Sequence, residues 1–437
     1  METAVDSRAY QNFISLRLDG AYTEGQLRDA IEKWADQNPI LKTGFVDIKS
    51  EWSAYTQFVL QMLPESRILI GSASGNEASS EVSMVHPLLI HIRQGDSETT
   101  LGIHIHHALY DGWSLELLIA DLNSILENPE AELVERPSFR NVVEHQLRLK
   151  EEDLSKETQY WSDHLSSLSP AALPNFNSFT SVPAGLARTS LSTGISTRKL
   201  EEAARSLEVS AQSLVQAAYS VLLAAYLGNS DICFGTVFSG RTGGVDNIES
   251  ICGPTLSTLP IRIDTATTPS MASLAQSLNS VVRKHLENDV LPLLAIKKLT
   301  DAETAGRPLF DTLVIWQQTL ETVSETKPLV ELVRSEDQLE FALTLEITPK
   351  SEGLRFGVTY QSAVLPERQV QILMKQIEAM VSAMLVDPEV VAGDVIGKLD
   401  NSLLSIANPT PSIPVSPASL AASVEKMAVE HPEKTAI

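Results

Sequence analysis

His106-His107-Ala108-Leu109-Tyr110-Asp111-Gly112, followed by Trp113-Ser114, places two imidazoles, a carboxylate and a glycine between two hydrophobic patterns of different period. Upstream, Leu101, Ile103 and Ile105 alternate as in a strand; downstream, Leu115, Leu118, Ile119, Leu122, Ile125 and Leu126 recur at helical spacing. A strand therefore ends in a turn, and a helix starts beside a histidine. If alternation carries through the pair, His104 and His106 share one face and His107 points to the other, with Leu101, Ile103 and Ile105.

An imidazole at a strand end carries a donor and an acceptor near neutral pH, so it can orient an attacking amine or hydroxyl and accept its proton. Asp111 is placed to hold the turn through a basic group or backbone amides. Gly112 lets the chain turn and lets a substrate carbonyl approach the free amides of a helix start. Residue types alone leave two other readings open, a pair of buried core histidines and a metal site on His104, His106 and His107. Alternation sends His107 away from the other two, and no cysteine or carboxylate cluster adjoins them, so no metal is expected.

The chain has 437 residues, enough for two or three domains of ordinary size. A net charge of −23 argues against nucleic acid or an anionic membrane surface as the main partner, because phosphate contacts need clustered Lys and Arg. The sequence holds no run of eighteen apolar residues, and Met1-Glu2-Thr3-Ala4-Val5-Asp6 is not the basic start of a signal peptide, so a cytoplasmic protein is expected. Cys233 and Cys252 lie in apolar stretches and are expected to be buried free thiols.

Thr23-Glu24-Gly25-Gln26 reads as a capping box, with Leu27, Ala30, Ile31, Trp34 and Ala35 at helical spacing until Asn38-Pro39 stops them. A strand is expected over Ile40 to Ile48. Tyr160-Trp161 closes the first half, and a Ser/Pro-rich run to about Val182 reads as a crossover linker. Helices are expected over Thr197 to Leu207, Ser210 to Leu227 and Pro366 to Leu385, and strands over Ile232 to Phe238, Phe341 to Ile347 and Leu354 to Tyr360. Asn408 to Pro417 is a proline-rich linker.

The 106–112 segment resembles the HHxxxDG signature of condensation domains of nonribosomal peptide synthetases and of chloramphenicol acetyltransferase-like acyltransferases. Other stretches extend the resemblance in the same order. Gln37 to Phe45 is similar to the family's RHExLRTxF motif with its leading residues replaced. Phe234 to Arg241 and Ile248 to Arg262 are similar to its GxVxSGR and GxFxNTxxxR-type stretches, in a Gly253-Pro254 variant that looks fungal. Asn288 to Leu293 resembles the loop before the floor region, and Pro308 to Gln318 the RNPLFxxxFxxQN strand.

This resemblance spans about Ala9 to Leu399 and implies an α/β fold of mixed sheets: two chloramphenicol acetyltransferase-like lobes in a V-shaped pseudo-dimer with a central tunnel. The lobes are expected at 1–168 and 183–400, joined by a crossover linker at 169–182. A Pro/Ser-rich linker at 401–418 then leads to 419–437, which looks like the start of an adenylation domain. The resemblance implies amide bond formation between two thioesters, both held on phosphopantetheine arms presented by upstream and downstream carrier proteins, with no cofactor bound by the domain itself.

By position, His107 is the residue that places the attacking amine, and Gly112 offers backbone to the thioester carbonyl. His106 and Asp111 are architectural, and Asp111 is expected to pair with Arg241 or, second, Arg262. Trp113 and Gln317, or Gln318, are candidate tunnel-lining residues. Family members carry a helix with an SxAQxRxWxL-like motif ahead of the segment matching Tyr10 to Asp19; it is lacking here, which implies a first lobe short of one tunnel wall. The 40–45 and 106–114 wording resembles siderophore synthetases of the ferrichrome type. Two other functions are compatible with the motif: a stand-alone acyltransferase using coenzyme A, and a degenerate domain that only docks carrier proteins.

Overall fold

The computed structural model describes residues 10–48, 55–72, 82–95, 98–132, 135–169, 171–177, 185–241, 243–300, 308–317, 328–336, 341–404 and 420–433. Gln318, the second half of the crossover run and the core of the Pro/Ser linker lie outside them. The chain divides into two compact units, Met1–Lys398 and Leu399–Ile437. In the second, the helices Asn401–Leu404 and Leu420–Glu430 are described.

The first half of the larger unit supplies strands β1 (Gln11–Leu18), β2 (Thr43–Asp47), β3 (Tyr55–Val59), β4 (Ile68–Ser72), β5 (Leu88–Gln94) and β6 (Thr99–His106). The second half supplies β7 (Leu186–Ser192), β8 (Asp231–Phe238), β9 (Ser257–Asp264), β10 (Thr312–Trp316), β11 (Val330–Glu336), β12 (Leu343–Lys350) and β13 (Gly353–Gln361). Two mixed sheets result, ordered β11-β1-β6-β5-β4 and β7-β13-β12-β10-β8-β9, with β2 and β3 as a separate ribbon. Fold and topology are those of the mixed α/β class expected.

In the first sheet, Ile14, Leu16, Ile90, Ile92, Leu101, Ile103 and Ile105 face one side, where the helices Glu24–Gln37 and Gly112–Glu127 cover them with Leu27, Ile31, Trp34, Leu118, Leu122 and Ile125. The first helix begins in the expected capping box. Its Trp34 indole donates to the Leu118 carbonyl at 2.8 Å, which fixes the two helices on each other. The strand expected from Ile40 starts three residues late. Asn38 closes the helix and Pro39 opens a single 3₁₀ turn, Pro39–Lys42, before β2 begins.

In the second sheet, Leu343, Leu345, Ile347, Leu354, Phe356, Val358 and Tyr360 are buried. The helix Ala211–Leu227, buried almost all round, packs against Met271–Leu286 and Glu367–Val386. Mid-strand Gly235 is obligatory for a packing reason, because a Cβ there would sit 2.3 Å from the Phe310 ring.

Two segments join the halves. Trp161, in the helix Ser155–His164, is fully buried among Leu259, Leu291, Ile296, Leu309 and Leu313 of the second half. Strand β11 leaves the second sheet altogether. The chain runs from β10 into β11, which pairs antiparallel with β1, and returns to β12 beside β10. Asn123 of the helix Gly112–Glu127 accepts from the amides of Leu329 and Val330, fixing the start of that excursion.

Beside Trp161, the rings of His164 and His285 meet edge to face at 4.7 Å, and Tyr160 bonds His285 Nδ1. Burial, with the Arg262 charge nearby, holds His164 down to about 4. Burial beside His164 holds His285 down to about 3. Both are therefore neutral in the folded state well below the pH at which the unfolded chain protonates them. Stability is complete above the ordinary histidine value of 6.5 and falls as pH drops from there toward 4 and 3, because only the unfolded state takes up protons in that window. Urea unfolding between pH 7 and pH 4.5 is expected to show a loss of up to about 1.4 kcal/mol per pH unit for each histidine, and His285→Phe to flatten the slope. An unchanged slope in that variant rules the cluster out as the source.

Candidate active site

Strand β6 stops at His106 because its last residue folds back on the turn. The His106 amide donates to the Pro87 carbonyl at 2.9 Å, its Nδ1 accepts from the Ala108 amide at 3.0 Å, and its carbonyl accepts from Leu109. An accepting Nδ1 makes this imidazole neutral with its hydrogen on Nε2. His106 is 4 % exposed and serves the turn.

His107 is the first residue past the strand and keeps to the face of Ile105, beside Tyr110 and on the side of Asn12, the register partner of Ile105, but only half-buried. Its amide donates to the Tyr10 carbonyl at 2.9 Å, and its half-buried ring stacks on Tyr110 with centroids 4.8 Å apart and planes 14° from parallel. Tyr110 is itself held, its hydroxyl accepting from Asn12 Nδ2 at 2.7 Å. His104 faces elsewhere, against Phe13 and His91. Among the described residues no three His, Cys, Asp or Glu side chains converge as a metal set.

Asp111 caps the helix Gly112–Glu127: its Oδ1 accepts from the Ser114 amide at 2.7 Å, and Ser114 Oγ accepts from the Asp111 amide at 2.8 Å. The same carboxylate takes Arg241 Nη2 at 3.1 and 3.2 Å, the Thr255 amide at 2.9 Å and the Thr255 hydroxyl at 3.2 Å. Arg241 also donates to the carbonyls of Ile248, Ile251 and Gly253. Both side chains are 4 % exposed, so the start of a first-half helix is riveted to a second-half loop. Arg262, the other candidate, instead forks onto Asp231 and binds the carbonyls of His164 and Ser166.

Gly240 explains how Thr255 comes so close. It has φ +64°, and a Cβ on it would stand 1.9 Å from the Thr255 carbonyl oxygen. Gly240→Ala is expected to push Thr255 off Asp111 and to lower stability by about 2–3 kcal/mol, read as a shift of the urea midpoint. A midpoint within experimental error of wild type contradicts this placement.

Gly112 is exposed to the cleft, where a Cβ would meet Gln317 Oε1 at 3.7 Å. Gln317 follows β10; its amide donates to the Ile347 carbonyl at 2.8 Å and its Nε2 to Glu346 at 3.3 Å. Trp113 donates its indole N–H to the Glu249 carbonyl at 2.8 Å and lies under Arg241, 5.9 Å from the guanidinium. The Ser114 amide is taken by Asp111 and the Leu115 amide by the Asp111 carbonyl, so the first amides of the helix, those of Gly112 and Trp113, are the ones left to a ligand. The cleft holds about 1700 Å³ and is lined from both sheets, with His107, Gly112 and Trp113 on one side and Val237, Ile315 and Gln317 on the other.

Sequence reasoning brought together His106, His107, Asp111, Gly112, Trp113, Arg241 and Gln317, all at this cleft or its support. It missed Tyr110 under the imidazole, Thr255 on the carboxylate and Glu346 beside Gln317. Tyr110 stands at a variable position of the motif, and the other two come from strands and loops whose register no local pattern reveals. Both cysteines are buried and neither lines the cleft; burial pushes the Cys252 thiol up to about 12 and the Cys233 thiol upward as well.

Two helix-covered mixed sheets closing on one cleft form the chloramphenicol acetyltransferase-like fold. Solved structures share it. The condensation domain from Monacolin K polyketide synthase MokA superposes with a TM-score of 0.71 at 15% identity, covering 89% of this chain and 94% of that one. The X-domain solved with OxyB from teicoplanin biosynthesis gives 0.71 at 18% identity, covering 90% and 92%. The model of the condensation domain family matches residues 2–396, and the chain belongs to that family.

Nonribosomal peptide synthetase 2 of Cochliobolus heterostrophus is 34% identical over all of this chain, and nonribosomal peptide synthetase sidC of Arthroderma benhamiae 33%. The ferrichrome siderophore peptide synthetase of Mycosarcoma maydis is 25% identical over 77% of it. The chain spans 8% of the length of each of these fungal relatives.

Proposed function

We propose that this condensation domain joins a donor acyl or peptidyl thioester to the amine of an acceptor aminoacyl thioester, each carried on the phosphopantetheine arm of a carrier protein. The observation that carries the reading is the meeting of His107, the free amides of Gly112 and Trp113, and Gln317 in one cleft between the two sheets. The acceptor nitrogen attacks the donor carbonyl carbon, the C–S bond breaks, and the donor carrier leaves as its thiol. His107 orients the amine and conducts its proton away. The oxygen of the tetrahedral species sits on the helix-start amides, where the helix dipole favours negative charge. Gln317 closes the far side.

The partners are then two carrier proteins and an adenylation domain that residues 419–437 begin, within an intracellular synthetase. Likeness to the ferrichrome siderophore synthetase supports a siderophore product. No helix of the described residues is long and apolar enough to cross a membrane. Mixing the protein with two loaded carriers is expected to transfer the donor to the acceptor carrier, seen as a mass gain on the latter. Carriers that bind without any transfer overturn the catalytic reading and leave a docking domain.

A further inference from the structure

The cleft wall made by the second sheet is not uniform. Directly paired residues share a face, so the cleft-facing row at one level reads Ser190 on β7, Gly357 on β13, Glu346 on β12, Ile315 on β10 and Val237 on β8. Toward β8 the wall is hydrocarbon; toward β7 it is polar, with Thr348, Arg355, Thr359 and Arg188 on the neighbouring rows. All of these line the cleft.

Gly357 marks the middle of the polar part. It lies inside a strand, where glycine weakens pairing, and its φ is not in the left-handed region. Packing does not demand it either. A Cβ there would meet only Glu346 Cβ, at an ordinary 3.7 Å, whereas at Gly235 the missing Cβ is replaced by Phe310. What a side chain at 357 would fill is cleft space, and a mid-strand glycine with this property marks the close approach of a ligand. The notch is lined by groups of both polarities. Glu346 accepts at its inner edge, one hydrogen bond from Gln317. Arg355 reaches the Ser190 hydroxyl at 3.4 Å and Arg188 the Thr359 hydroxyl at 3.3 Å on its outer side.

We infer that the notch over Gly357 is a side-chain subsite, which selects a condensing residue with an uncharged polar side chain that both donates and accepts hydrogen bonds, as an amide or hydroxyl does. This rests on the condensation reading above. A donor group on the ligand meets Glu346, and an acceptor oxygen meets Ser190 and the guanidiniums. A hydrocarbon chain of the same length strips water from these groups and gives nothing back, which is how a hydrogen-bonding site rejects an apolar analogue.

The test uses the whole chain with two carriers and compares glycyl, glutaminyl and leucyl thioesters, first on the acceptor carrier with a fixed donor, then on the donor carrier with a fixed acceptor. In one of the two arms, wild type is expected to use glutaminyl over leucyl by at least roughly tenfold in kcat/KM. In that arm Gly357→Leu is expected to lower the glutaminyl-to-glycyl ratio at least about tenfold, mainly through KM, with Gly357→Ala intermediate. Glu346→Leu is expected to abolish the preference for glutaminyl over leucyl. Unfolding curves of each variant report whether the fold is kept. Equal use of glutaminyl and leucyl in both arms overturns the subsite, as does an unaltered ratio in folded Gly357→Leu. No product from wild type with any pair overturns instead the reading on which it rests.

Discussion

Arg241→Ala is expected to lose about 3–5 kcal/mol of stability, the range for removing one partner of a buried ion pair. The guanidinium lies 3.1 Å from Asp111 and is 4 % exposed, so its removal leaves a carboxylate with no countercharge and takes a donor from the carbonyls of Ile248, Ile251 and Gly253, of which Ile248 keeps the Ile251 amide. Asp111 keeps the Ser114 and Thr255 amides, which offset part of the cost. Asp111→Asn keeps the helix cap but is expected to be costly too, because it leaves the buried guanidinium without a countercharge and turns an amide nitrogen toward the donors of Arg241 or Thr255. Urea unfolding of both single variants and the double variant measures the coupling. A loss below about 1 kcal/mol in Arg241→Ala sinks the argument.

His107→Ala is expected to behave in the opposite way, with transfer between carriers falling about 10²–10⁴-fold while stability stays within about 1 kcal/mol of wild type. The ring is half-buried and gives up one stacking contact, with Tyr110; its amide bond to the Tyr10 carbonyl is retained by any residue. Single-turnover transfer and unfolding curves on the same preparation separate the two effects. Undiminished transfer means that the imidazole neither orients nor deprotonates the amine. A loss of transfer matched by a loss of fold means that it is part of the scaffold.

Local pattern made most of the fold legible. The capping box at Thr23 and the helical spacings after Thr197, Ser210 and Pro366 are all found near their expected places, because each element announces itself within a dozen residues. The strand over Ile40 to Ile48 failed at its start because Asn38-Pro39 closes one helix and opens a tight turn at once. His107 follows the alternation, since its bond to Tyr10 continues the β1–β6 pairing one residue past His106; the pattern does not reveal that the ring ends half-buried at the cleft rather than deep in the core. The pairing of Asp111 with Arg241 came from the resemblance, since no local rule joins residues 130 apart. Thr255, Glu346 and Gly357 needed the sheet register, which is a property of the assembled fold.

Strand β11 bears on the order in which the molecule is made. β1 offers Phe13 to Leu18 to a partner that the ribosome delivers only some three hundred residues later, at Val330 to Glu336. At a synthesis rate of roughly 5–20 residues per second, that edge waits on the order of 15–60 s. During the wait an apolar, twisted strand edge is available to any other chain. The first half therefore carries an open edge until β11 is made, and cutting the chain between the halves for expression is expected to yield aggregate unless β11 is added back.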